Sequence, residues 1–214
     1  MKPFDLTKKT WVISNCLFVL NFSIYLSSFI IKHPLPSLPP LVNLFLLTIS
    51  YSTSLVKFIR TPSLIPSQSN FYCILVFMTL PRNLLLIPFY FLSLYHLISF
   101  VLSNKNIFEK YFIYKICMAA SNFHVALGRA ALFSKILGVP LSFIFFLCGS
   151  GSIGTFLMYL WMVRQEYTTI PAMRSVFGEL RIRLDEGMLL FPDKVQYFYN
   201  KAKELIIHYD KIMN

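Results

Sequence analysis

FYCILVFMTLPRNLLLIPFYFLSLYHLISFVL, residues 71–102, is apolar almost throughout and is interrupted once, by Pro81-Arg82-Asn83. As one straight helix it would measure roughly 48 Å, against a bilayer hydrocarbon core of about 30 Å. Pro81 removes a backbone donor and Arg82 carries a charge that hydrocarbon does not solvate, so the chain is expected to bend there. The split leaves residues 71–80 at about 15 Å, too short to cross alone, and residues 84–102 at about 28 Å. The stretch reads as a hairpin that enters the membrane, turns at or before the far interface and returns.

Composition agrees with that reading. Of 214 residues, 56% are hydrophobic and only 14% charged, well below the usual quarter, which marks an integral membrane protein. The net charge of +11 is uneven: residues 1–163 hold twelve Lys/Arg against Asp5 and Glu109, whereas residues 164–214 hold eight against seven acids. A basic excess beside apolar spans orients the protein and meets anionic lipid headgroups; nucleic acid is not the expected partner. The cysteines, Cys16, Cys73, Cys117 and Cys148, form no CxxC pair and imply neither a disulfide framework nor a zinc site.

Working outward, residues 1–10 form a basic cytosolic head, and residues 11–163 form a membrane domain of about six apolar helical segments arranged as three hairpins. Residues 11–31 are uncharged and open on Trp11, suited to the interface. They lack a signal-peptide cleavage pattern and read as a retained span. Four prolines between Pro34 and Pro40 turn the chain, and residues 41–56 return. Residues 103–129 carry Lys105, Lys110 and Lys115. Asn106 and Glu109 there resemble a capping box, and the apolar residues after them suit an interfacial helix near residues 104–118. Residues 130–147 and 155–163 form the last hairpin, turning at Gly149, Gly151 and Gly154. With a cytosolic N-terminus, three hairpins leave 17 of the 20 Lys/Arg on the cytosolic side, with both termini there.

Residues 164–214 read as two cytosolic amphipathic helices. The first starts at Pro171, with Met173, Val176, Phe177, Leu180 and Leu184 on one face. The second, residues 193–213, carries Val195, Phe198, Tyr199, Ala202, Leu205, Ile206, Tyr209, Ile212 and Met213 on a stripe flanked by lysines. It is expected to lie on a membrane or to bind a partner.

Little in the chain suggests chemistry. Gly149-Ser150-Gly151-Ser152-Ile153-Gly154 matches GxGxxG literally, but a dinucleotide site requires a preceding strand, and both flanks here are membrane helices. His96 has no acidic or cysteine partner at helical spacing and reads as satisfied by a neighbouring helix; Asn21, Asn43 and Asn83 are expected to bond between helices. No acid falls inside an apolar segment, and Arg82 stands as the one strongly ionic intruder. No catalytic residue, cofactor or metal site is expected. Two other classes stay open: a small transporter or channel component, which needs a hydrated path, and a lipid-modifying enzyme subunit, which needs an active site near His96 or His124.

The turn at residues 147–152, the aromatic segment with Tyr159 and Trp161, Arg164, and then Pro171, Arg174, Phe177, Glu179, Leu180 and Arg181 together resemble the transmembrane protein 33 family. That family includes the Krüppel homologue 2 proteins and the pore-membrane and tetra-spanning nucleoporins of yeasts. The resemblance extends over about residues 54–183, through Pro81, Pro88 and Ser93-Leu94-Tyr95-His96. It implies a non-enzymatic protein of the endoplasmic reticulum and nuclear envelope that helps organise tubular membrane and the distribution or assembly of nuclear pore complexes. Reticulon-type proteins and nucleoporins are the implied partners.

Overall fold

The structure, a computed structural model, describes residues 3–31, 39–59, 61, 64–65, 68–79 and 83–213, and is helical with no strand among them. The helices are α1 (Pro3–Ile31), α2 (Pro40–Leu55), α3 (Ser69–Thr79), α4 (Ile87–Ser103), α5 (Lys105–Phe108), α6 (Phe112–Ala120), α7 (His124–Leu147), α8 (Ile153–Thr169), α9 (Pro171–Met188) and α10 (Asp193–Met213). Three helical stretches, Leu6–Ser28, Leu84–Ser103 and Phe112–Leu147, are long and apolar enough to cross a membrane. The protein is an all-α polytopic membrane protein. It divides into two units, residues 1–171 and 172–214.

Local sequence sets the helix ends. Pro40 takes the first position of α2, where a missing N–H costs nothing. The central break falls where Pro81 predicts it: α3 stops at Thr79, and Asn83 opens a 3-10 turn, Asn83–Leu86, leading into α4. Pro81 and Arg82 lie outside the described residues, as does most of the proline turn at residues 32–38. At the turn between α7 and α8, Gly149 has φ of 69°, a left-handed conformation that suits glycine. Its N–H bonds to the Phe146 carbonyl and that of Ser150 to the Phe145 carbonyl, which closes α7 as a Schellman motif. Ser152 then caps α8 by accepting from the Thr155 N–H.

In the first unit the helices pack in a closed circuit, α1–α2–α3–α8–α7–α4 and back to α1. Two hairpins, α1/α2 and α7/α8, are bridged by α3 on one side and α4 on the other. The central segment therefore differs from the hairpin that its sequence suggests. Its arms do not pack along each other; they diverge and meet through Phe77 and Phe89, whose rings are 4.7 Å apart. Both arms are apolar on every face, and such a helix is best buried between two neighbours. Tyr51 of α2 completes an aromatic cluster with these two rings. Along α1/α2, Asn21 Nδ2 donates to Asn43 Oδ1 at 2.8 Å, as the sequence suggests, and Asn15 donates to Ser50 one level away.

The loop region at residues 103–129 is more helical than its mixed character suggests. α6 passes through a 3-10 turn into α7, so the apolar helical run is the 36 residues Phe112–Leu147 rather than residues 130–147. The capping box does not form. Asn104 occupies the N-cap of α5 while its side chain donates back to the Phe100 carbonyl, and Glu109 pairs with Lys105 at 3.4 Å. Cys117 of α6 is buried with Ile98 and Val101 of α4, while Phe112, Ile116 and Met118 are exposed.

In the second unit, Asp185 of α9 accepts from the Tyr199 hydroxyl at 2.7 Å and from Lys203 Nζ at 2.7 and 2.8 Å, tying α10 back along α9. Met173 and Val176 are buried, but Leu184, expected on the same face, is exposed.

Candidate functional site

Two buried stripes with the same spacing face each other across the α7/α8 hairpin. On α7 they are Ala131, Lys135, Gly138 and Ser142; on α8, Thr155, Tyr159, Met162 and Glu166. Steps of four, three and four keep each set on one helix face. A Cβ on Gly138 would lie 2.5 Å from the Tyr159 ring, so the missing side chain is what admits that ring. Two turns along α8 from Tyr159, Lys135 Nζ meets Glu166 Oε1 at 2.6 Å, each side chain only 2% exposed.

Five helices converge on this pair. Lys135 Nζ lies 5.7 Å from the centre of the Phe89 ring on α4, and Cys73 of α3 touches Met162 sulfur to sulfur at 3.6 Å. Tyr51 of α2 meets the same Phe89 ring edge-on at 6.0 Å. Glu166 Oε2 and the Tyr159 hydroxyl are buried without a hydrogen-bond partner among the described residues. Chemically this is a compensated ion pair in an aromatic setting. It neutralises two charges that the bundle would otherwise have to solvate.

The sequence reading missed it twice. Lys135 lies in the core, so Arg82 is not the one ionic intruder. Glu166 lies beyond residues 155–163, the apolar segment expected from the sequence, and α8 runs on to Thr169 and carries it inside. The matching four-three-four stripes are the signal that finds both.

The residues singled out from sequence do not gather into one site. Asn83 opens the 3-10 turn, and Gly149 and Gly151 form the α7–α8 turn, with Gly154 in the first turn of α8. Arg164 is exposed, its guanidinium 5.4 Å from the Trp161 ring. Pro171 opens α9, and Arg174, Phe177, Glu179, Leu180 and Arg181 follow along it, Arg181 reaching Asp185 at 3.9 Å. On α10, Val195 and Phe198 are exposed and Tyr199 turns to Asp185; the side chains of Ala202, Leu205, Ile206 and Tyr209 lie outside the described part. Hydrogen bonds from Lys203 and Tyr199 hold the Asp185 carboxyl below its usual value of 3.8, and the same bond raises the Tyr199 hydroxyl above its usual 10.0. His96 is edged by Trp11 of α1 at 6.1 Å. His124 stacks on Tyr95 at 4.0 Å and its Nε2 lies 2.6 Å from the Ser99 hydroxyl.

A family model described as transmembrane protein 33/nucleoporin POM33 matches residues 66–211, well over half of the chain. The chain belongs to this family. No curated protein and no solved structure matches it. The family match takes in α3 to α10, and with them both arms of the central segment, Lys135, Glu166 and the Asp185 tie.

Proposed function

We propose that this protein is a non-enzymatic organiser of endoplasmic-reticulum and nuclear-envelope membrane, acting on tubular membrane and on the distribution or assembly of nuclear pore complexes. The family match carries the reading, because its description joins a transmembrane protein to a nucleoporin. The circuit of short and long apolar helices supports it: helices of unequal length displace the two leaflets unequally. Anionic lipid headgroups are the proposed lipid partners, and reticulon-type proteins and nucleoporins the proposed protein partners.

Imaging tests the reading directly. The tagged full-length chain is expected in tubular reticulum and nuclear envelope, and a version ending at Thr169 is expected to redistribute. A smooth plasma-membrane or vacuolar signal from both would sink it. The Lys135–Glu166 pair favours a second reading, since an ionisable pair within a membrane bundle often marks an ion path. On that reading, reconstituted vesicles would pass ions and Lys135→Met would abolish the flux.

A further inference from the structure

α8 packs against α3 and α7 and turns its third face away from both. Along that face Ile153, Leu157, Leu160 and Trp161 are each 43–50% exposed, and Arg164 follows one turn after Leu160. The four make an apolar ridge about 12 Å long. Residues 153–163 carry no charge, so the ridge ends where the polar part of α8 begins, at Arg164.

Arg164 stands there with its charge unanswered. Its guanidinium carbon lies 5.4 Å from the centre of the Trp161 ring, and Tyr72 of α3 flanks that ring at 6.3 Å. Among the described residues no acid pairs with Arg164 and no acceptor takes its N–H groups. Stacking on Trp161 holds the planar guanidinium without using its donors, which leaves the fork preorganised for the oxygens of an anion. The other charge on α8, Glu166, is buried against Lys135, and α3 carries none.

The ridge decides which anion fits. A free phosphate, or the carboxylate of a soluble partner, would meet Arg164 and leave the ridge bare. A phospholipid meets both, its phosphate on the guanidinium and an acyl chain along the ridge. With no exposed acid on α3 or α8, nothing there holds the ammonium of a zwitterionic head, so the match is to a headgroup of net negative charge. We propose that Arg164, Trp161 and Tyr72 form a site for one anionic phospholipid on the exposed side of the α3/α8 pair. This rests on the membrane-organising reading and assigns its anionic headgroup to α8 rather than to the lysine-flanked stripe of α10.

Trp11 and Trp161 are the two tryptophans, so Trp11→Phe leaves Trp161 as the site's own reporter. The full-length chain carrying that change is reconstituted in phosphatidylcholine vesicles with a minor fraction of lipid brominated on its acyl chains, which quenches a tryptophan it touches. Brominated phosphatidylglycerol is expected to quench Trp161 at least threefold more than brominated phosphatidylcholine at the same mole fraction. Arg164→Gln is expected to bring that ratio close to one with the helical dichroism unchanged. Arg164→Lys, which keeps the charge but not the stacked fork, is expected to lower it below twofold, and serves alone if the glutamine variant does not fold. Lys110→Gln, which removes a charge between α5 and α6, is expected to leave the preference in place. Equal quenching by the two lipids overturns the proposal. So does a preference that survives both Arg164 substitutions, which would assign it to diffuse basic charge. A preference abolished by inorganic phosphate, but not by chloride at the same ionic strength, overturns it in favour of a free anion. Quenching in vesicles is read wherever imaging places the protein, so the two readings fail separately.

Discussion

At the scale of the residue, the Lys135–Glu166 pair is the feature with the largest expected energetic signature. Removing one partner leaves a buried charge uncompensated, so Lys135→Met or Glu166→Leu alone is expected to destabilise the bundle by about 3–5 kcal/mol. The double variant, with both side chains apolar, is expected to recover most of that loss in denaturant unfolding in detergent. Recovery would show compensation, and its absence would mean that each residue has other obligations. Tyr159 offers a contrast. Its ring fills the space that Gly138 leaves, and its hydroxyl has no hydrogen-bond partner among the described residues. Gly138→Ala is expected to cost about 1–3 kcal/mol by overpacking, whereas Tyr159→Phe is expected to be neutral or slightly stabilising, read as the shift in melting temperature. The Asn21–Asn43 bond was legible in the sequence, because polar residues at matching depth in two consecutive spans have few other partners. Lys135 and Glu166 were not, because hydropathy treats each charge alone and two opposite charges that meet in space are 31 residues apart in the chain.

At the scale of the element, punctuation was legible and partnership was not. Pro81, Pro171, Gly149 and Pro192 mark helix ends through backbone chemistry that is local, and α9 and α10 start where the sequence predicts. Which helix packs on which depends on faces that are apolar all round in α3 and α4, so the pattern offers no preferred side. The paired arms of a hairpin became two bridges for that reason. The Asp185 tie supplies the prediction at this scale. Its carboxyl sits below 3.8, so the stabilisation it brings is present above that pH and is lost as pH falls through the lower folded value. Tyr199 is raised, so its contribution holds below pH 10.0 and is lost as pH rises through the higher folded value. Amide exchange along α10 is therefore expected to be flat between roughly pH 5 and 9 after correction for intrinsic rates, and to accelerate as pH falls below 3.8. Asp185→Asn is expected to abolish the acid step.

At the scale of the whole molecule, the six-segment order expected from the sequence, with both termini on one side, makes a topological prediction. Glycosylation acceptors engineered into residues 32–38 and beside Ser150 are both expected to be modified in microsomes, while acceptors in residues 1–10 or beyond residue 190 are expected to remain bare. Modification at only one of the two turns would break the three-hairpin order. The circuit of helices also has a consequence for how the protein is made. Its first and second hairpins are separated in the chain by the very arms that join them, and α8 is the last piece to take its place, between α3 and α7. During translation Lys135 leaves the ribosome 31 residues ahead of Glu166, an interval of about 2–6 s at roughly 5–20 residues per second. Through that interval the nascent chain carries at Lys135 a positive charge that Glu166 does not yet answer. A chain that stalls or is cut before residue 166 keeps that charge permanently, and so bears within its own membrane domain the mark by which an unfinished copy differs from a finished one.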